Sequence, residues 1–249
     1  MPPGAAGAQD LARRGLPAIG DVVAGKYRVD EIVGEGGMGV VLGATHLELG
    51  RRVALKFLSP AAAPSSDAVP RFLREARAMA ALEGEHVARV IDVGALPTGA
   101  PYIVMERLVG VDLERELARR GRFPVAEAVD SVLQACEALA EAHAAGIVHR
   151  DLKPSNLFRA MRPPGEPIVK VLDFGISKLA AGAQPAAAGV TTTGGGPIGS
   201  PRYMSPEQIR GHGVDRRTDV WALGVVLFEL LAARSPLAAD SFPALYAAI

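Results

Sequence analysis

The chain has 249 residues, of which 49% are hydrophobic and 22% charged, and its 27 basic residues are balanced by 27 acidic ones. This composition is typical of a packed globular protein, and the absence of a basic excess argues against a nucleic-acid-binding protein and against a polybasic membrane anchor. The single cysteine, Cys136, excludes an intrachain disulfide and favours a reducing, cytoplasmic location.

The N-terminal half has the pattern of a sheet with one inserted helix. Residues 1–24 are rich in Ala, Gly and Pro and are predicted to form a flexible segment. β-Branched and aromatic runs then predict five strands, and apolar residues at helical spacing predict one helix. The predicted strands span residues 27–33, 40–47, 53–58, 87–93 and 102–105, and the predicted helix spans residues 71–82.

The C-terminal half has a mainly helical pattern. Residues 125–146 place apolar side chains at helical spacing, which predicts an amphipathic helix in which Cys136 is a small buried residue. The run 220–233 predicts a buried core helix, because its 14 residues are too few to span a bilayer. The Ala-, Gly- and Thr-rich segment 180–199 is predicted to be a mobile loop. A β-rich part followed by a helical part, with the break near residues 106–112, is an α+β layout.

Between the first two predicted strands lies the glycine-rich run GEGGMG, residues 34–39. By itself this pattern also fits the dinucleotide-binding loop of an oxidoreductase. That loop opens a helix, whereas here Val40 and Val41 continue into a strand. A glycine hairpin between two strands lets backbone N–H groups approach a phosphate, and a plain hairpin turn is the alternative.

Lys56 stands in an otherwise apolar strand, and Glu75 lies in the middle of the predicted helix that follows. Burying an unpaired ammonium group is unfavourable by several kcal/mol, so an ion pair with Glu75 would suit a buried Lys56 and leave it positioned to hold phosphates. The alternatives are a Lys56 side chain that reaches solvent from an edge strand and a Glu75 side chain that is merely solvated.

The most specific run is HRDLKPSN at residues 149–156, followed 22 residues after Asp151 by DFG at residues 173–175. In order and spacing these motifs resemble the eukaryotic-type protein kinase family, and the tract GKYRV that leads into GEGGMGVV is similar to its bacterial Ser/Thr branch. The resemblance covers residues 27–249. It implies an α+β, two-lobed protein-kinase-like fold with a flexible segment at 1–24 and a kinase domain at 25–249. Its β-rich N-lobe would span about 25–106, and its mainly helical C-lobe, about 112–249, would be incomplete at the C-terminal end.

The resemblance implies transfer of the γ-phosphate of ATP to a serine or threonine of a protein substrate. Asp151 resembles the catalytic aspartate, which orients the substrate hydroxyl and accepts its proton. Lys153 would neutralise charge on the transferred phosphoryl group, and its place two residues after Asp151 is similar to that in kinases acting on Ser/Thr. Asn156 and Asp173 would supply oxygen ligands to Mg²⁺.

The resemblance also implies an adenine and ribose site. Met105 resembles the gatekeeper residue, and the Glu106 carbonyl and the Leu108 N–H would pair with adenine. Asp112 would reach the ribose. The full set of residues predicted to bind ATP is Val33, Gly34, Glu35, Gly36, Gly37, Met38, Gly39, Val40, Val41, Ala54, Lys56, Glu75, Met105, Glu106, Leu108 and Asp112.

Beyond the DFG motif, the run GSPRYMSPE at residues 199–207 resembles the substrate-docking segment, with Ser205 in place of the usual alanine. Ser200 stands where the family usually has threonine, and the resemblance implies that its hydroxyl bonds towards Asp151 or Lys153. Asp219 resembles the aspartate that caps the central helix and braces the backbone of the catalytic loop. The resemblance also implies that phosphorylation in the 180–199 loop orders it against Arg150, with a flexible linker as the alternative. The candidate phosphorylation sites are Thr191, Thr192 and Thr193.

A second function stays open at this point. An inactive, nucleotide-binding pseudokinase or a truncated fragment acting as a scaffold would keep the same fold, although the motif residues needed for the chemistry are present. The incomplete C-lobe predicts a dimer or another partner that covers exposed apolar surface. Neither a nucleic-acid partner nor a membrane span in this chain is expected.

Overall fold

The computed structural model describes Leu11 and residues 14–36, 39–58, 68–162, 165–174, 200–237, 239 and 241–249. These residues divide into two compact units. The first contains the described residues up to Ala81 together with Arg89–Arg107. The second contains Leu82–Ala88 and the described residues from Leu108 onwards.

The first unit is built on an antiparallel sheet with the strand order β1-β2-β3-β4-β6-β5, and helix α1 contacts β5 and β6. The predicted strands and helix are confirmed with shifted ends, and β1 is an additional short strand. The elements are β1 (Val22–Val23), β2 (Tyr27–Gly36), β3 (Gly39–His46), β4 (Arg51–Leu58), α1 (Ala68–Met79), β5 (Val90–Ala95) and β6 (Pro101–Glu106).

One face of this sheet forms the hydrophobic core of the first unit. Side chains alternate between the two faces of a strand, so Leu42 of β3, Leu55 of β4 and Val104 of β6 share one face, and all three are fully buried. Leu11 and Leu16 pack into the same cluster from the N-terminal side.

The chain before β2 therefore differs from the predicted flexible segment wherever the structure describes it, at Leu11 and residues 14–24. Leu11 is fully buried. Backbone hydrogen bonds fix the segment to β2, from Gly20 N to Val29 O at 2.8 Å and from Val29 N to Asp21 O at 2.9 Å. The small residues of this segment suggested mobility, but its few large apolar side chains bury enough surface to order it.

The second unit combines a three-stranded antiparallel sheet, of order β7-β8-β9, with helices. The predicted core helix 220–233 corresponds to α5. In the part of the chain that the structure describes, no helix combines the length and apolarity needed to cross a bilayer. The elements are β7 (Gly110–Asp112), α2 (Leu113–Arg120), α3 (Val125–Ala144), β8 (Leu157–Ala160), β9 (Ile168–Val171), α4 (Pro206–Ile209), α5 (Arg217–Ala232) and α6 (Phe242–Ala248), with 3-10 turns at Pro154–Asn156 and Ser200–Tyr203.

Helix α3 is present, but the face that it buries differs from the predicted one. Val125 is 67% exposed and Leu133 57% exposed, and Cys136 is also exposed, so the prediction of a buried cysteine is wrong. The helix packs against β9 and α5. Small side chains allow close approach of neighbouring elements, and the buried face is rich in them: Ala128, Ser131, Ala135, Ala138, Leu139 and Ala142.

Candidate active site

The sheet face opposite the core of the first unit carries side chains predicted to contact the nucleotide. In the strand register Val41 pairs with Lys56, and Gly43 pairs with Ala54, which pairs in turn with Met105. Residues directly opposite each other in neighbouring strands, and two apart in one strand, point to the same face. The structure therefore brings Val41, Ala54, Lys56 and Met105 together on one surface.

Lys56 is 6% exposed in a central strand of the sheet. The central position rules out the alternative in which its side chain reaches solvent from an edge strand. A buried ammonium group requires anionic or hydrogen-bonding partners, and Lys56 is not without a partner in the structure. Glu75 lies in α1, but its side chain is outside the described part of the structure, so the Lys56–Glu75 ion pair stays a prediction.

The hairpin of β2 and β3 carries the glycine-rich run. Its pairing continues to Gly36 opposite Gly39, while Gly37 and Met38 lie outside the described residues. Gly39 has a φ of 146°, a conformation that residues with a side chain rarely adopt. A strand–turn–strand arrangement excludes the dinucleotide-binding alternative, which requires a strand–turn–helix.

Three of the residues predicted to bind ATP at the glycine-rich hairpin lie in β2, namely Val33, Gly34 and Glu35. Val40 needs a correction, because its side chain is 1% exposed and belongs to the core cluster on the opposite face. Alternation along β3 explains this placement, since Val41 faces the nucleotide side.

A charged group that the sequence did not reveal lies on the same face. Glu31 of β2 pairs with Gly43 across the hairpin, and its Oε1 accepts hydrogen bonds from Arg52 Nη2 at 2.8 Å and Arg107 Nη2 at 3.2 Å. A Cβ at position 43 would come within 2.7 Å of Glu31 Cγ, so the glycine makes room for this side chain. Glu31 thus ties β2 to β4 and to the residue that follows β6.

Contacts within each unit hold the residues predicted for adenine and ribose. In the first unit, Glu106 at the end of β6 accepts a hydrogen bond from Arg89 N on Oε1 at 2.8 Å and donates its own N–H to Arg89 O at 3.0 Å. In the second unit, Leu108 precedes β7, and Asp112 is the N-cap of α2, where its Oδ1 accepts the Arg115 N–H at 2.8 Å. The predicted contacts of these residues with the nucleotide stay predictions.

The residues of the HRDLKPSN run converge on Asp151 in the second unit. Asp151 is 7% exposed, and Lys153 Nζ lies 3.2 Å from its Oδ2. The Asn156 side chain donates from Nδ2 to the Asp151 backbone oxygen at 2.7 Å. The loop therefore holds a carboxylate, an ammonium group and an amide side by side.

The predicted metal ligands lie at the same end of the β8–β9 hairpin. Asn156 directly precedes β8, and Asp173 follows β9 by two residues. The strands pair at Leu157 and Val171, and Leu172 N donates to Asn156 O at 2.8 Å. The hairpin thus brings together residues that are 17 positions apart in the sequence.

The side chains of Asn156 and Asp173 are chemically suited to binding a hard divalent cation. The amide nitrogen of Asn156 is used by Asp151 O, which leaves its Oδ1 as the ligand atom, and Asp173 supplies a carboxylate. Asp173 has a φ of 56°, and sparsely populated backbone conformations cluster at functional sites. Across the described residues, no group of three or more His, Cys, Asp or Glu side chains is placed to hold a metal ion.

Asp219 braces the catalytic loop from α5. Its side chain is fully buried, and it accepts the His149 N–H at 2.9 Å and the Arg150 N–H at 2.8 Å. His143 Nε2 lies 2.8 Å from the same carboxylate, a contact that no spacing pattern revealed. The predicted brace is confirmed, but the predicted cap is wrong, because Arg216 is the N-cap and Asp219 is the third residue of the helix.

The imidazole of His149 is fully buried beneath this loop. Its Nδ1 accepts the Asp151 N–H at 3.2 Å, which leaves Nε2 to donate to Leu172 O at 2.8 Å. Its ring lies 5.0 Å from the Phe174 ring. Burial lowers the pKa of His149, and the Leu172 carbonyl opposes this shift only in part, so the ring is held neutral.

The docking segment is anchored by side chains of the second unit. Ser205, which replaces the usual alanine, is fully buried; its Oγ contacts Thr218 Oγ1 and takes part in the capping box that begins α4. Tyr203 donates from its hydroxyl to Glu229 Oε2 at 2.6 Å. Ser200 begins the 3-10 turn, but its side chain is outside the described part, so its predicted bond to the catalytic loop stays a prediction.

The predicted phosphorylation loop lies outside the described residues, which resume at position 200 after residue 174. The candidates Thr191, Thr192 and Thr193 therefore stay predictions.

These observations define a class. A glycine-rich β-hairpin and a buried strand lysine, combined with an Asp–Lys–Asn loop beside a DFG aspartate, are the parts of a protein kinase catalytic domain. The family model described as "Protein kinase domain" matches residues 27–247, and the chain belongs to this family. The family as a whole uses ATP and divalent metal ions.

Named relatives are bacterial serine/threonine-protein kinases. The chain is 41% identical to pkn3 of Myxococcus xanthus over 223 residues, which are 90% of this chain and 40% of that protein. It is 45% identical to Pkn1 of the same organism over 88% of this chain and 30% of that protein. It is 39% identical to PknA of Mycobacterium tuberculosis over 90% of this chain and 51% of that protein. The chain thus spans about a third to a half of the length of these relatives.

Solved structures confirm the fold. The crystal structure of the Mycobacterium tuberculosis PknI kinase domain superimposes with a TM-score of 0.71 at 31% sequence identity. The match covers 91% of this chain and 81% of the PknI domain. The predicted α+β protein-kinase fold is therefore correct.

Proposed function

We propose that this chain is a serine/threonine protein kinase that transfers the γ-phosphoryl group of ATP, with Mg²⁺ as its metal ion, to hydroxyl groups of protein substrates. The observation that carries the proposal is the contact of Lys153 with the Asp151 carboxylate at 3.2 Å, beside Asn156 and the DFG aspartate. Kinase names of relatives at 38–45% identity over most of this chain support it.

Asp151 acts on the acceptor. Its carboxylate orients the substrate hydroxyl and takes its proton as the phosphoryl group is transferred. Lys153 places a positive charge where the phosphoryl oxygens carry negative charge. A metal ion held by Asn156 and Asp173 neutralises phosphate charge when it is bound.

The first unit supplies the nucleotide contacts. Val41, Ala54 and Met105 form an apolar surface for the base, and Lys56 binds phosphate oxygens with support from Glu75. The glycine-rich hairpin contributes backbone N–H groups to the phosphates.

The decisive experiment is transfer of radiolabel from γ-labelled ATP to a generic Ser/Thr-containing protein, with Asp151→Asn as the matched variant. We expect Asp151→Asn to bind Mg²⁺-ATP like the parent and to lose about 10²–10⁴-fold in turnover, because general base assistance is removed. Phosphoamino-acid analysis should find phosphoserine and phosphothreonine.

Direct binding separates the active kinase from the pseudokinase alternative. A parent chain that binds Mg²⁺-ATP in calorimetry but transfers no phosphate would refute the proposed activity and favour the pseudokinase. Lys56→Met should abolish transfer while circular dichroism shows a folded chain.

We also propose that phosphorylation of the 180–199 loop regulates this activity. A phosphate on Thr191, Thr192 or Thr193 would add about −1.5 to −2 charges close in sequence to the docking segment and could pair with Arg150. Mass spectrometry after incubation with Mg²⁺-ATP should find the modification only when Asp151 is intact. A triple Thr→Ala variant with full activity would contradict this switch and leave the kinase assignment untouched.

A further inference from the structure

Gln208 links the short helix after the docking segment to the backbone of the catalytic loop. Its Nε2 donates a hydrogen bond to the Arg150 carbonyl oxygen at 2.8 Å, although the two residues are 58 positions apart. Its Oε1 accepts the Ser205 N–H at 3.1 Å as part of the capping box of α4. One side-chain amide thus uses both of its ends on backbone groups.

The Arg150 carbonyl is a sensitive place for such a contact. Arg150 has a φ of 65°, and a residue with a side chain adopts this left-handed conformation at a cost of about 1–3 kcal/mol unless its surroundings stabilise it. The Arg150 N–H is held by Asp219. Gln208 holds the carbonyl on the other side of the same residue, so the strained conformation is fixed at both of its peptide groups.

The peptide plane that follows Arg150 leads directly into Asp151. Its carbonyl oxygen is bound by Gln208, and its N–H, which belongs to Asp151, donates to His149 Nδ1 at 3.2 Å. Because a peptide group is planar, contacts at its two ends together block rotation of the plane. The direction of the Asp151 side chain depends on this plane.

We propose that Gln208 is a positioning residue for phosphoryl transfer, which holds the Arg150–Asp151 peptide and makes the orientation of Asp151 depend on α4 being in place. This role rests on the proposed kinase function, in which Asp151 acts on the substrate hydroxyl. It couples the end of the docking segment to the catalytic loop through the hydrogen bond from Gln208 Nε2 to the Arg150 carbonyl oxygen.

The competing explanation is that Gln208 only completes the capping box of α4. Two substitutions separate the two ends of its amide. Gln208→Glu keeps an oxygen that accepts the Ser205 N–H but replaces the donor to Arg150 with a second oxygen. Gln208→Lys keeps a donor for the Arg150 carbonyl and removes the acceptor for Ser205.

We expect Gln208→Glu to lower kcat about tenfold, because two oxygens then face each other where a hydrogen bond was, and to change KM for ATP less than about twofold. Gln208→Lys should keep kcat within about threefold of the parent. If capping alone mattered, Gln208→Glu would be nearly neutral and Gln208→Lys would be the damaging change.

Gln134→Glu is the matched control. Gln134 also binds a backbone group of the second unit, accepting Val169 N on Oε1 at 2.7 Å, but it lies outside the catalytic loop. It should leave kcat unchanged. Thermal unfolding of all variants shows which of them remain folded.

Amide hydrogen exchange gives a readout that does not require activity. Exchange in the peptide that contains Arg150 and Asp151 should be faster in Gln208→Glu than in the parent and unchanged in Gln208→Lys. In an active parent, unchanged exchange and kcat in Gln208→Glu, or equal losses in both variants, would overturn the role of Gln208 alone. A parent chain that binds ATP but transfers no phosphate would overturn the proposed activity, and this role with it.

Discussion

Replacing Asp219 with alanine is the most informative single perturbation of the catalytic loop. The carboxylate is fully buried and accepts two backbone N–H groups, from His149 at 2.9 Å and from Arg150 at 2.8 Å. An unsatisfied buried donor lowers stability by about 1–3 kcal/mol, so Asp219→Ala should reduce the free energy of unfolding by about 2–6 kcal/mol. Domains are stable by about 5–15 kcal/mol, so a loss of this size removes a large part of the stability margin.

Activity should suffer more than nucleotide binding. Without Asp219 the left-handed conformation of Arg150 loses one of its two backbone contacts, and relaxation there displaces Asp151. Asp219→Asn should be milder, because its Oδ1 can still accept the Arg150 N–H while its amide nitrogen opposes the His149 N–H.

Urea unfolding and steady-state kinetics measure both effects. We expect the urea midpoint to fall in the order parent, Asp219→Asn, Asp219→Ala, and kcat to fall in the same order with KM for ATP changed little. An Asp219→Ala variant that loses less than about 1 kcal/mol of stability and keeps its kcat would refute the reasoning that the carboxylate supports this backbone.

Three further predictions concern stability. Burial lowers the pKa of His149, so below about pH 6.5 the imidazole is protonated in the unfolded chain but stays neutral in the folded chain. The free energy of unfolding should therefore fall as the pH is lowered from about 7.5 to about 5.5, and it should fall less in His149→Phe. Equal pH dependence in the parent and in His149→Phe would contradict a neutral buried ring. Leu11→Ala should lower the free energy of unfolding by about 2–5 kcal/mol, whereas Ile19→Ala, at a 47% exposed position, should change it by less than about 0.5 kcal/mol; equal effects would mean that Leu11 is not packed. Tyr203→Phe removes the hydroxyl that donates to Glu229, and urea unfolding should show a loss of about 1–3 kcal/mol, with no loss if the carboxylate finds another donor.

The predictable part of the molecule is the part whose determinants lie close together in the sequence. Strand alternation places Ala54 and Lys56 on one face and Leu55 on the other, and the register then adds Val41 and Met105 to the first. The same rule shows why Val40 cannot line that face with its side chain. Once the face of one residue in each strand is known, period-two alternation therefore predicts which face every other side chain of that strand occupies.

Helix α3 shows where periodicity is insufficient. Its larger apolar side chains, such as Val125 and Leu133, lie on an exposed stripe, while the packed face consists mostly of alanines. The spacing of hydrophobic residues identifies the apolar stripe of a helix. In α3, however, the buried face is the alanine-rich one, because the small alanine side chains allow β9 and α5 to pack closely against it. Which elements approach the helix is a property of the whole fold.

The side chains that hold the Arg150 backbone could be predicted only in part, because the family resemblance implied Asp219 whereas no motif indicated Gln208. Asp219 and Gln208 bind the N–H and the carbonyl of Arg150, and these groups are present in every residue except for the missing N–H of proline. A side chain that binds another side chain requires a complementary residue type, which leaves a trace in the sequence. A side chain that binds a backbone group needs only to lie close to that group in the fold, whatever the residue type of its partner. Asp219 and Gln208 are 69 and 58 residues away from Arg150 in the sequence. The motif residues could therefore be found from their own chemistry and Asp219 from the family resemblance, whereas Gln208 became identifiable only once the fold had placed it beside the Arg150 carbonyl.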